Sequence, residues 1–539
     1  MKIYGNLVDI HLRDIYKCCI TVDNGKIIEI SRCNNNVDLY IIPGLVDAHI
    51  HIESSMVTPS AFAVEAVKHG TVAVVSDPHE IANICGIEGV DFMINDSKSV
   101  PLKFFFGAPS CVPATSFETS GGIIDKDQVE NLLKREEIHY LSEMMNYPGV
   151  IFNNIDVIGK INAAKRLGKP IDGHAPGLRG NDLKKYVVAG ITTDHECSSL
   201  EEAEEKISLG MKILIREGSA AKNMDNLKTL IKNNQDNVML CSDDLHPEML
   251  MKGHINRLIA RLIKEGYDIF DVLRCATINP VVHYNLTVGL LREGDAADFV
   301  LVESLENMNV LETWIGGSKV YGQNQIYFSP ARRLSINRFN SGLIKVEDII
   351  IKNKGANFRV IEAFDGELLT KERIVSTGNS EDLEPDLESD YLKIVVKDRY
   401  NDGPPQTGFI KGFGLKRGAF ASSVAHDSHN IICIGTNDYD IVNAINAIVA
   451  MKGGLSVSCE GDVKNLQLSI GGIMSSGSCA DTAFHYDELN KQVIGFGCTM
   501  SAPFMTLAFM ALLVIPELKI GDKGLFDVRN FRPVSLFCN

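Results

Sequence analysis

The chain has 539 residues, too many for one hydrophobic core, so two to four domains are expected. Its 53 Lys+Arg against 69 Asp+Glu give a net charge of −16 with no basic run, which argues against a nucleic-acid backbone as the main partner. Thirteen cysteines form no CxxC pair, and Met1-Lys2-Ile3-Tyr4-Gly5-Asn6 has no apolar run after its charge, so reduced thiols, no secretory leader and a cytoplasmic location are expected.

Residues 2 to 42 read as short strands and turns: Leu7 to Leu12, Cys18 to Val22 and Lys26 to Ile30, the last two joined by the hairpin signal Asp23-Asn24-Gly25. Residues 286 to 323 repeat that texture, with Gly294-Asp295, Ala297 to Val302 and Val320-Tyr321. The two β-rich pieces, 1–42 and 286–340, are expected to close one composite β-sandwich domain around an inserted domain, 43–285.

Within the insert, strand and helix alternate. Pro43-Gly44 punctuates the entry to a strand carrying Asp47, His49 and His51, followed by a helix from Pro59 to Lys68. Strands are then expected at Thr71–Ser76, Lys103–Gly107, Tyr140–Met144, Pro170–His174, Ile191–His195, Lys212–Arg216 and Val238–Asp243. Helices are expected near Ile87–Asn95, Val129–Ile138, Ile161–Leu167, Leu183–Ala189, Leu200–Leu209 and Met224–Lys232. Eight strands with helices between them is the arithmetic of a (β/α)8 barrel, although a doubly wound sheet fits the alternation too. From about residue 345 the pattern changes to a third, α+β domain, 345–539, with an acidic connector at 377–387 and a helix near Asp438 to Met451. Val493 to Pro516 is uncharged but broken by Gly495, Gly497, Ser501 and Pro503, so a buried helix is expected there and not a membrane span.

The polar residues decide between the two α/β architectures. His49 and His51, Asp77, His79 and Glu80, Glu143, His174, His195, and Asp243 with Asp244 all fall at strand ends. In a barrel the C-terminal strand ends converge on one face. Histidine with carboxylate and no cysteine in phase suits Zn, Mn or Fe. Four histidines and two carboxylates exceed what one ion needs, and two ions about 3.5–4 Å apart would use them all.

Pro43-Gly44-Leu45-Val46-Asp47-Ala48-His49-Ile50-His51 resembles the first-strand signature of the amidohydrolase superfamily. His51 to Met56, Ser76 to Asn83, Ser142 to Asn146, Gly173 to Gly177 and Cys241 to Asp244 are similar to the branch of that superfamily that deaminates a free purine base. Lys411 to Leu415, Val424 to Asn430 and Gly471 to Ser475 extend the similarity to the third domain. The resemblance implies a binuclear barrel in which His49 and His51 hold the more buried ion and His174 and His195 the second. Glu143 would bridge the two. Asp243 would bind metal and the attacking hydroxide, with Asp244 as the alternative because sequence does not fix the register of adjacent aspartates. Two divalent ions are implied, Mn or Fe favoured, and Zn also suits the donors.

The reaction implied is adenine plus water to hypoxanthine plus ammonia, with a homo-oligomer as the expected assembly and neither nucleic acid nor membrane as partner. His79 and Glu80, in what reads as a loop after the second strand, are candidates for the acid that protonates the leaving amine. Glu53, Ser54 and Asp244 are candidates for holding the base. His426-Asp427-Ser428-His429-Asn430 is expected to brace the third domain or close the site. Hydrolysis of a cyclic amide or N-acyl bond is the alternative reaction for the same centre, and a non-catalytic purine- or metal-binding protein the alternative class.

Overall fold

The computed structural model describes residues 1–539 except 36, 332–334, 356, 379 and 539, so residue 379 of the acidic connector lies outside the described residues. Eight parallel strands form the centre: β1 (Leu45–Ile50), β2 (Thr71–Ser76), β3 (Lys103–Ala108), β4 (Ile138–Met144), β5 (Ile171–Gly173), β6 (Thr193–Asp194), β7 (Lys212–Arg216) and β8 (Val238–Cys241). The first five make one sheet in sequence order and the last three another. Two seams close them into a barrel. Thr192 N–H donates to Ile171 O at 2.9 Å between β5 and β6, and Asp243 bridges Ile50 between β8 and β1. All six residues of β1 and of β2 are buried, as strands enclosed on both faces must be. Gly44 is required at the entry to β1, because a Cβ there would meet Val72 Cγ2 at 2.3 Å.

Strands from both flanks of the barrel share one sheet. Tyr40–Pro43 pairs antiparallel with Phe299–Val302 at the middle of an eight-stranded sheet built from both ends of the barrel. That sheet curls back on itself: Lys26 bridges Ala296, and a separate core of Ile3, Leu7, Ile20, Ile27, Phe299 and Trp314 fills the fold. Downstream, a nine-stranded sheet carries the helix Asp438–Met451 on one face, over Ile441, Ile445 and Ile448. Asn437 caps that helix by accepting from Asp440 N–H at 2.8 Å.

Several elements depart from their sequence reading. His79 and Glu80 open a helix, His79–Cys85, and are not loop residues. The helix expected at Val129–Ile138 is Lys126–Leu133, because Asp125 and Gln128 form a capping box that starts it early, and Ile138 already belongs to β4. Met224–Lys232 splits into Met224–Leu227 and Leu230–Asn233. The stretch from Val493 is not one helix. Cys479–Gly495 ends there, Gly497 takes φ +101°, and Pro503 restarts a short helix, Pro503–Phe509, from the first-turn position that tolerates its missing N–H. No helix among the described residues is long and apolar enough to cross a membrane.

Candidate metal centre

Strand alternation puts Asp47, His49 and His51 on one side of the first strand and its exit. Asp47 reaches across the β1/β8 seam: it accepts from Ser242 N–H at 3.1 Å and from the Ser242 hydroxyl, and His254 Nε2 lies 2.8 Å from its Oδ2. His254 in turn meets Thr71 Oγ1 at 2.7 Å. Asp243 N–H donates to His49 O at 3.0 Å, and His51 N–H to Asp243 O at 3.3 Å. The seam therefore sets His49 and His51 against Asp243. Asp47→Ala would strand the buried N–H and hydroxyl of Ser242 and remove the carboxylate beside His254, and is expected to lower the unfolding free energy by about 3 kcal/mol, read as a fall in the denaturant midpoint.

At the C-terminal mouth, His49 Nε2 and His51 Nε2 face each other at 3.2 Å and lie 3.5 and 3.4 Å from Asp243 Oδ1. Glu143, at the end of β4, reaches both histidine pairs. Its Oε2 is 2.9 Å from His174 Nδ1 and 3.0 Å from His195 Nε2, and its Oε1 is 3.6 Å from His51 Nε2. His79 Nδ1 sits 3.5 Å from the same oxygen and 3.1 Å from Asp77 Oδ2. His51 Nδ1 lies 3.2 Å from Asp77 O, where its N–H can donate and leave Nε2 as a lone pair for the centre.

Both adjacent aspartates reach the mouth: Asp243 lies against His49 and His51, and Asp244 accepts from the Ser54 hydroxyl at 2.5 Å while staying within 4.8 Å of His51 and of His426. Glu53 is buried, accepts from Ile81 N–H at 3.2 Å, and is pushed up to about 7 by its burial and by Glu80 beside it. Glu80 looks away from the histidine cluster to the third part of the chain: His426 Nδ1 is 2.6 Å from its Oε1 and His429 Nε2 3.0 Å from its Oε2. Burial would raise Glu80, but the two imidazoles outweigh it and hold the carboxyl well below its ordinary range. His79 Nε2 approaches Asp427 at 3.8 Å. The His426–His429 segment thus closes the barrel mouth.

Two residues were missed in the sequence. Arg216, at the end of β7, is 6% exposed and lies 2.5 Å from Asp243 Oδ2 and 2.9 Å from Glu196 Oε2. Glu196 Oε1 lies 3.6 Å from His174 Nδ1 and 3.4 Å from His195 Nε2. The available signal was an arginine closing the apolar run Ile213–Ile215 and an acid directly after His195.

The donors suit a divalent cation. Burial opposes ionisation of Glu143 and Asp243, yet His174 and His195 hold the first well below its usual range, and Arg216, His49 and His51 hold the second there. Burial would lower His174, but Glu196 and Glu143 lift it to about 9. Such a cluster requires positive charge. Groups of buried nitrogen and oxygen donors within 4.8 Å of one another, His49 with His195 and Asp243, and Glu143 with His174 and His195, can take it up as metal ligands. The cavity over them is narrow, about 30 Å³, and Leu368, Phe509 and Leu512 are among its lining residues; the Phe509 ring stacks on His426 at 4.8 Å and 18°.

Glu118, next to this mouth, is buried and raised to about 8 by desolvation and by Asp427. The folded state then holds a proton that the unfolded chain has released above about pH 4.5, so this group's contribution to stability falls as pH rises from there to about 8. Glu118→Gln is expected to gain on the parent as pH rises from 5 to 8, by a few degrees in thermal midpoint.

A (β/α)8 barrel with this constellation at its C-terminal mouth defines a metal-dependent hydrolase. Residues 40–320 match the amidohydrolase family, and residues 367–532 match the adenine deaminase C-terminal domain. The adenine deaminase of Methanosarcina barkeri is 52% identical over 99% of this chain and 98% of that protein. Those of Parabacteroides distasonis and Borreliella burgdorferi are 47% and 46% identical, over 100% and 98% of this chain and 99% and 98% of their own lengths. The chain belongs to the amidohydrolase family and, within it, to the adenine deaminases.

Proposed function

We propose that this chain converts adenine and water to hypoxanthine and ammonia at the barrel mouth. The observation that carries the reading is that the deaminase-type C-terminal part walls the same cavity as the histidine–carboxylate cluster, through Leu368, His426, Asp427, Phe509 and Leu512. His49, His51 and Asp243 would hold one divalent ion, His174 and His195 the other, and Glu143 both, with Mn or Fe favoured and Zn also suited to the donors. Bound there, divalent ions supply acidification of a water molecule, so that a nucleophile exists near neutral pH.

The chain's own groups do the rest. Asp243, oriented by Arg216, takes the proton of the attacking water at Oδ1, the oxygen facing His49 and His51. His79, held by Asp77, hands a proton to the departing amine. Glu80 keeps His426 in place, and His426 stacked with Phe509 gives the flat base an aromatic boundary. Asp244, which lines the cavity, would orient the ring nitrogens, with Ser54 donating to it and Glu53 buried behind, against Ile81 N–H. Leu368 and Leu512 keep bulk water out of the small cavity.

The test is ammonia release by protein loaded with Mn or Fe, offered adenine, adenosine, guanine and cytosine separately. Release from adenine is expected. No release from adenine, with turnover of a hydantoin or dihydroorotate instead, would overturn the reading in favour of cyclic-amide hydrolysis.

A further inference from the structure

Three of the apolar residues that wall the cavity, Leu368, Phe509 and Leu512, come from two separate stretches of the chain beyond the barrel, and one buried side chain joins them. Lys519 lies on the strand Leu518–Gly521 and is 0% exposed. Its Nζ donates to Leu368 O at 2.7 Å and to Phe509 O at 3.0 Å. Leu512 N–H donates to that same Phe509 O at 3.2 Å, so Leu368 and Phe509 meet at one amine and Leu512 shares its Phe509 acceptor. The neighbouring backbone repeats the tie: Thr370 Oγ1 donates to Leu518 O at 2.8 Å, and Ile520 N–H to Met510 O at 3.1 Å.

A lysine placed this way is unusual in its chemistry. Its two partners are main-chain carbonyls and not carboxylates, and burial pushes the amine down to about 7. Burying an amine without a counter-ion is unfavourable, and methionine would fill the volume without that penalty. What methionine cannot do is donate two hydrogen bonds to carbonyls on separate segments.

We propose that Lys519 is a positioning residue for the deamination, fixing the wall of Leu368, Phe509 and Leu512 at the height that closes over the bound base. This rests on the adenine reading of the cavity. Lys519 touches neither the metal donors nor the base, so its removal acts on how well the flat ligand is held and leaves the metal centre intact.

The test compares Lys519→Met and Lys519→Gln with the parent, all loaded with Mn. The Met variant is expected to raise KM for adenine and the Kd for hypoxanthine by about tenfold, the size of losing a charge-assisted hydrogen bond, with kcat within threefold and bound metal unchanged. Amide hydrogen exchange at 366–370 and 507–512 should quicken in the Met variant. The Gln variant keeps a donor amide and should recover part of both effects, and it carries the comparison if the Met variant does not fold. Parent-like hypoxanthine binding and exchange in the Met variant would overturn the proposal, as would a Gln variant that folds and matches the Met variant in both. If the parent itself releases no ammonia from adenine, the deamination reading falls, while the exchange data still decide whether Lys519 holds the wall.

Discussion

Asp243→Asn is expected to lower kcat for adenine by about a thousandfold at pH 7, the middle of the range for losing a positioned proton acceptor. The carboxylate has two jobs, divided between its oxygens. Oδ1 faces His49 and His51, and Oδ2 is clamped by Arg216. Burial would raise its pKa, but Arg216 and the two histidines outweigh that and keep it ionised well below the usual carboxylate range. Asparagine keeps the shape and loses both the charge and the ability to take a proton. It also leaves Arg216 with Glu196 alone, so a lower thermal midpoint should accompany the loss. Steady-state rates, metal content and melting of the variant would be measured together. A variant within tenfold of the parent rate, with metal bound, would remove Asp243 as the proton acceptor.

Glu143→Gln is expected to be nearly as damaging, through the metal. Among the barrel carboxylates, Glu143 is the one placed between both histidine pairs, 2.9 and 3.0 Å from His174 and His195 and 3.6 Å from His51. Glutamine halves the acceptors, removes the charge and points an amide N–H at an imidazole or an ion. The variant should retain fewer than two divalent equivalents after dialysis and show roughly a hundredth of the activity or less. Full retention of two ions would eliminate Glu143 as the shared ligand.

Much of this site could be read from residue order. The pairs His49/His51 and Asp243/Asp244 announce themselves because strand periodicity puts alternate polar residues on one face of an otherwise apolar run. Helix boundaries were less legible, since they depend on local caps: Asp125 and Gln128 start one helix early, and Gly497 with Pro503 break another. His79 and Glu80 read as loop because Pro78 precedes them, yet Pro78 stands just before a helix whose first residue is His79.

By itself the sequence determined the barrel and the presence of histidines and carboxylates at its strand ends that could hold a metal, because those depend on periodicity and on residue chemistry that survive being read one segment at a time. Only the tertiary structure decided that Asp47 is a seam clamp to Ser242, that Asp243 lies against His49 and His51 while Asp244 takes the Ser54 hydroxyl, and that Arg216 and Glu196 lie beside the cluster. The same holds for Glu80, drawn to His426 and His429 across more than three hundred residues, and for Lys519 beneath the cavity wall. Those contacts are set by how strands close and how distant segments pack. A buried charge finds its partner in space, and nothing in the local pattern around it records where that partner lies.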